Sequence, residues 1–210
     1  MSVWEIVNDR VNDVAGVGVP TSEQDNLRWW NKFGGDGSAL SWRECPKLEL
    51  LVVRGRKKPK PRADLSPFMP GALVLSARAC DVLRPFLASF GQLLELSVEG
   101  QSEYFYNVTN VVSCIDANLS EQRPEGTIAR EVFDEARVPS VATVFKDRLN
   151  PGKIYVNSAG KEVLAQLVAE HEITGLNFRQ AGWGRLPDGR HGHLRQADST
   201  VSSRRLSGGR

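Results

Sequence analysis

Residues 71–112, GALVLSARACDVLRPFLASFGQLLELSVEGQSEYFYNVTNVV, decide how this chain folds. Gly71–Leu75 is an apolar run of strand length, and Ser76 after it is placed to cap a helix by accepting a first-turn N–H. Ala79, Val82, Leu83, Phe86, Leu87 and Phe90 then recur at three- and four-residue intervals, the stripe of an amphipathic helix. Pro85 lies inside that stripe and is expected to kink or split the helix. Gly91 reads as its terminator and Leu93–Val98 as a return to strand. Gly100 sits in a tight connection before the aromatic and β-branched run Glu103–Val112, so the two runs read as a hairpin.

The same order recurs further on. Lys153–Val156 reads as a strand, Ser158 as a cap, and Val163, Leu164, Leu167, Val168 and His171 as a helical stripe. Gly175 then precedes a strand at Leu176–Phe178. Strand, capped helix, glycine and strand thus occur twice, as two similar lobes would produce. Val3–Val7 reads as a strand with Trp4 and Ile6 on one face, and residues 8–20 as loop. Ser22 is placed to cap a helix through Trp30 or Phe33, closed by Gly34-Gly35. Leu48–Val53, Thr127–Phe133 and Val141–Phe145 are further strand candidates. The pattern predicts an α+β fold: a mixed, largely antiparallel sheet with two or three helices. The chain divides into an N-terminal part (1–53), a basic linker (54–62), a main domain (63–184) and a tail (185–210).

The 210 residues are 40 % hydrophobic and 25 % charged, with a net charge of +2, the balance of an ordinary globular protein. No apolar run approaches the roughly 18 residues of a transmembrane helix. The opening MSVWEIVNDR carries Glu5 and no apolar h-region, so no secretory signal is expected. Cys45, Cys80 and Cys114 form neither a zinc pattern nor a disulfide framework, which fits a reducing cytoplasm. The charge is uneven. Residues 64–184 hold 10 Lys/Arg against 15 Asp/Glu, whereas residues 185–210 hold 6 Arg against 2 Asp. The body is therefore acidic, and the positive charge sits in the Arg/Gly/Ser tail and in Arg54–Arg62 (RGRKKPKPR). That distribution argues against a nucleic-acid face, which needs several cations on a folded surface. The basic run reads as a solvated linker, or alternatively as an arm for an acidic partner or RNA. The tail is too polar to offset its ordering entropy and is expected to be disordered.

Little in the sequence points to chemistry. Gly34-Gly35-Asp36-Gly37 lacks both the Lys-Ser/Thr of a phosphate loop and the spacing of a dinucleotide fingerprint. His171, the one histidine outside the tail, is expected at a helix end. Cys80 and Cys114 are expected to pack as small hydrophobes rather than to act as nucleophiles. No metal-ligand cluster is visible, and no cofactor is called for. Glu131, Asp134 and Glu135 read as an exposed helix or turn face. Trp29-Trp30 reads first as core. Tyr104, Phe105 and Tyr106 alternate across a strand, one face buried and the other free to present an aromatic anchor.

The order of several short motifs adds a resemblance. Asp64 precedes a strand; Val74, Leu75, Ser76 and Arg78 mark a strand-to-helix step; Tyr106, Asn107 and Val108 lie in a strand. Asp116 follows, and Gly175, Leu176 and Phe178 close the series. Over residues 1–183, and best over 64–178, the chain resembles the bacterial immunity-protein family 11, also called the domain of unknown function 1629. The resemblance carries no catalytic residues. It implies a cytosolic antidote, encoded beside a polymorphic toxin of interbacterial competition, that protects its producer by binding the toxin domain. An acidic body would suit a basic toxin surface such as a nuclease's. Glu121, Glu125, Glu131, Asp134 and Glu135 are then the expected acidic contacts, with Trp29 and Tyr104 as anchors. The alternatives are a nucleic-acid-binding module using Arg54–Arg62 and the tail, and an enzyme acting on the toxin or on a nucleotide.

Overall fold

Strand β1 (Val3–Asn8) alternates its side chains between two cores, and that alternation organises the fold. In the computed structural model, which describes residues 2–8, 14–20, 33–52 and 59–182, Ile6 and Trp4 join one hydrophobic cluster while Val3 joins another. Such a strand must be central. It pairs antiparallel with β11 (Asn150–Asn157) on one side and with β12 (Leu176–Ala181) on the other, and β10 (Val144–Asp147) completes a four-stranded sheet in the order β10-β11-β1-β12.

A second sheet has six strands in the order β2-β3-β6-β7-β5-β4. These are β2 (Val17–Gly18), β3 (Lys47–Leu50), β4 (Leu65–Ser66), β5 (Leu73–Ser76), β6 (Gly91–Val98) and β7 (Gln101–Val108). Only the β3–β6 pair is parallel. A short ribbon, β8 (Glu121–Gln122) with β9 (Ile128–Arg130), stands apart. The predicted α+β class with a largely antiparallel sheet is the observed one. Residues 8–20, read as loop, do contribute β2, which pairs with β3.

The decisive stretch folds nearly as read. Ser76 accepts from Ala79 N at 3.1 Å and starts α1 (Ala77–Leu87). Pro85 does not split this helix, because it stands in the last turn, where one lost hydrogen bond interrupts little. The helix also ends before Gly91. Ala88 is its cap, and Gly91 instead opens β6, where a Cβ would lie 2.3 Å from the Asn107 carbonyl. The hairpin is a two-residue one: Val98 pairs with Gln101, and Glu99 and Gly100 both have positive φ, 51° and 80°, as a type I′ turn requires.

The repeated order corresponds to a repeated topology. The helix α2 (Ser158–Glu170) joins β11 to β12 just as α1 joins β5 to β6. In each case the two joined strands are separated by one antiparallel neighbour, β1 in the first sheet and β7 in the second. Each unit is thus a strand–helix–strand with a third strand inserted. Both helices pack into one cluster, where Leu83 and Leu87 of α1 meet Leu164 of α2, Tyr106 and Val108 of one sheet, and Ile154 and Val156 of the other. The cap of α2 is Asn157, not Ser158: its Oδ1 accepts from Gly160 N at 2.9 Å. The α2 stripe is also narrower than read. Leu164, Leu167 and Val168 face the core, while Val163 and His171 are exposed.

The predicted helix from Ser22 to Trp30, the candidate anchor Trp29, most of the basic run and the tail lie outside the described residues. Of that run's cations Arg62 is well placed: it pairs with the buried Glu103 on β7. No helix among the described residues is long and apolar enough to cross a membrane.

Candidate functional site

Glu131 follows β9, and its surroundings reverse the sequence reading. It is 4 % exposed. Its Oε1 accepts from Tyr155 Oη and Asn150 Nδ2, each at 2.8 Å, and from Lys153 Nζ. Burial alone would push this carboxyl up, but the hydrogen bonds from Lys153 and Tyr155 outweigh it and hold the group below the usual range. The carboxylate is internal because Lys153 and Tyr155 stand two apart on β11 and so point to one face of the sheet, beneath the segment that carries Glu131. Glu131 is therefore internal, not on the exposed helix or turn face expected from the sequence.

Lys153 extends the network to β1. Its Nζ lies 3.5 Å from Glu5 Oε2, and Arg179 Nη2 on β12 donates to the same oxygen at 2.7 Å. Glu5 pairs directly across the sheet with both Arg179 and Tyr155, which puts all of these groups on one face. This face borders a cleft of about 640 Å³ between β1 and the connection from β4 to β5. Glu5, Lys153 and Arg179 line it together with Val7, Phe68 and Met69.

Lys146 is fully buried behind the cleft. Its ammonium donates to the carbonyls of Gly71 at 2.7 Å, Pro151 at 3.0 Å and Gly35. One cation thus fastens two loops and the start of β11. Burial pulls its pKa down to about 8, while Asp36 nearby opposes the shift. Asp147, its neighbour, is also buried and is satisfied by backbone: Oδ2 accepts from Cys114 N at 2.7 Å and Ile115 N at 2.8 Å.

The other acidic candidates gather on and beside the β8–β9 ribbon. Every residue from Glu121 to Thr127 is exposed. Glu121 lies 3.8 Å from Arg130, and Glu125 accepts from Thr127 Oγ1 at 2.9 Å. The tip is stiffened by Arg123 N donating to Thr127 O at 2.8 Å and Gly126 N donating to Arg123 O at 2.9 Å. Asp134 pairs with Arg137 at 3.0 Å, and Glu135 is exposed beside it. Tyr104 is half-buried. The Arg84 guanidinium lies 5.2 Å from its ring centroid, and the ring packs against the helix-side core. Its neighbours Phe105 and Tyr106 are buried on opposite faces, because both faces of the second sheet are covered.

No family model matches this chain, and no curated protein matches it. The short motifs read in the sequence as a family resemblance serve the scaffold. Asp64 Oδ2 accepts from Thr174 N at 3.0 Å and Thr174 Oγ1 at 2.9 Å, and Oδ1 accepts from Ser76 Oγ at 3.1 Å. Arg78 pairs with Asp64 at 3.2 Å and donates to the carbonyl of His171, which caps α2. Beside them Gly175 has φ 89°, and a Cβ there would lie 2.2 Å from the Leu65 carbonyl. These motif residues tie the start of α1 to the end of α2. Tyr106 Oη likewise donates to Leu87 O at 3.0 Å, and Asn107 Nδ2 to Ser38 O at 2.8 Å.

The cysteines follow their expected division. Cys80 and Cys114 are fully buried, and burial pushes the Cys114 thiol up to about 12, so neither is a poised nucleophile. The sequence missed Lys146 and the Glu5–Arg179 pair. A lysine within the hydrophobic strand run VFKD was the available signal for the first; nothing local marks the second.

Proposed function

We propose that this chain is an antidote: it binds one macromolecular partner, a toxin domain, stoichiometrically and blocks it. The observation that carries the reading is the exposed β8–β9 ribbon, which presents Glu121 on β8 and Glu125 on its hydrogen-bonded tip. A preordered surface loses little conformational entropy on binding. Its carboxylates, with Asp134 and Glu135 beside them, favour a basic contact face and speed encounter with it. The family resemblance supports the same reading, although its residues serve the scaffold.

The test is to ask whether the neighbouring reading frame encodes a toxin domain and to titrate that domain with this chain. Inhibition that saturates at a fixed molar ratio supports the proposal, and inhibition at far below one chain per toxin would replace it with enzymatic turnover. Charge reversal at Glu121, Glu125 and Glu135 should slow association at low salt about tenfold or more. Binding that survives this change at full rate removes the ribbon from the interface. Salt-sensitive retention of nucleic acid by the chain would favour the nucleic-acid reading.

A further inference from the structure

The cleft between β1 and the β4–β5 connection plays no part in the ribbon's role. Its volume, about 640 Å³, falls within the roughly 300–1,000 Å³ typical of small-molecule sites. One wall is Glu5–Asn8 of β1, which runs about 10 Å at the ordinary strand rise. The opposite wall is Pro67–Leu73, with half-buried Phe68 and Met69. The lining is therefore largely apolar along its length.

Its charge is lopsided. The Glu5 side chain is 12 % exposed, Lys153 25 % and Arg179 65 %. The Glu5 carboxylate is withdrawn, the Lys153 ammonium is held between it and Glu131, and Arg179 alone reaches well into solvent. Glu131, which also pairs with Lys153, is not part of the lining. Arg179 directs Nη2 to Glu5, and a guanidinium carries five N–H donors, so donors remain for a second acceptor. An apolar slot bordered by one exposed guanidinium is complementary to one class of ligand.

We propose that this cleft binds a small amphipathic organic anion, with its apolar body between Val7 and Phe68–Met69 and its acidic group on the Arg179 guanidinium. The site is independent of the toxin reading and stands or falls without it. The ligand must be small, because the cleft is ligand-sized, and singly anionic, because Glu5 already engages Arg179 and Lys153 is held by Glu5 and Glu131.

The test uses the full chain and anilinonaphthalene sulfonate, a probe with an aromatic body and one sulfonate. Fluorescence should saturate at one probe per chain. Dodecanoate should displace the probe, and dodecyltrimethylammonium, with the same tail and the opposite charge, should not. Arg179→Gln should weaken binding roughly tenfold or more, the loss of one charge-assisted contact, while Arg179→Lys should retain most of it. Val7→Glu, placing a carboxylate on the wall, should weaken binding similarly, and Val7→Gln should not. Circular dichroism melts of each variant establish that the fold is intact. Non-saturating fluorescence, equal binding by wild type, Arg179→Gln and Val7→Glu, or equal displacement by both surfactants would overturn the proposal.

Discussion

Replacing Glu131 by alanine should unfold this protein more readily than replacing any other carboxylate near the ribbon. The substitution removes the acceptor for Tyr155 Oη, whose residue is fully buried, and leaves that hydroxyl without a partner. An orphaned buried donor costs about 1–3 kcal/mol. It also strips Lys153 of its closer carboxylate, although Glu5 at 3.5 Å still offers a second. Asn150 is half-buried, and water can replace its lost acceptor. Breaking a buried ion pair typically costs about 3–5 kcal/mol, and the retained Glu5 contact places Glu131→Ala near the lower end of that range. In a chain of this size about 3 kcal/mol corresponds to roughly 6–12 °C in Tm.

Guanidinium unfolding followed by tryptophan fluorescence and circular dichroism measures the loss, with Glu121→Ala as the exposed control expected within about 0.5 kcal/mol of wild type. The pH dependence supplies a second check. The Glu131 carboxyl is held below its ordinary 4.5, so the unfolded chain binds its proton first as pH falls. Its contribution is complete above that value and is lost as pH drops through the lower, folded one. The gap between wild type and Glu131→Gln should therefore narrow in acid. A Glu131→Ala midpoint equal to wild type, or a gap that widens in acid, would refute the internal-network reading.

Three further outcomes are expected. Lys146→Met orphans three carbonyls and should cost about 2–4 kcal/mol at neutral pH after relief of the buried charge. Because the folded ammonium titrates near 8 and the unfolded one near 10.5, the unfolded chain holds more protons between those values. Wild type should then gain up to about 3 kcal/mol over Lys146→Met as pH rises through that window, measured by paired denaturation curves. Gly175→Ala, with φ 89° and a Cβ 2.2 Å from the Leu65 carbonyl, should cost well over the roughly 1–2 kcal/mol of left-handed strain alone; Gly100→Ala, with nothing within 4 Å, should cost only that strain. Ser76→Ala should cost about 1 kcal/mol as a lost N-cap, visible as faster amide exchange in the first turn of α1.

Local rules carried far in the stretch 71–112. Ser76 caps, the stripe from Ala79 to Leu87 packs, and Glu99-Gly100 turns, because caps, helical periodicity and two-residue turns are set by near neighbours in the chain. The same rules misread Gly91 and Ser158. A glycine after a helical stripe looks like a terminator, but Gly91 is required by the close approach of Asn107, sixteen residues on. Ser158 and Asn157 are both good caps, and the choice fell to Asn157, whose Nδ2 also donates to Pro139 O at 2.7 Å and Val141 O at 2.6 Å.

By itself the sequence determined the α+β class, the doubled strand–helix–strand order and the acidic character of the central body. These depend on periodicity, composition and turn chemistry, each of which acts over a few residues. Tertiary structure alone decided which charges face water. Glu131 and Glu121 are equivalent acids in the sequence, yet one is buried against Lys153 and Tyr155 of β11 and the other lies on an exposed ribbon. Glu5 meets Arg179 only because β1, at the start of the chain, is inserted between β11 and β12 near its end. A pairing across such a separation is selected by the burial of two opposite sheet faces at once, and no local pattern encodes it.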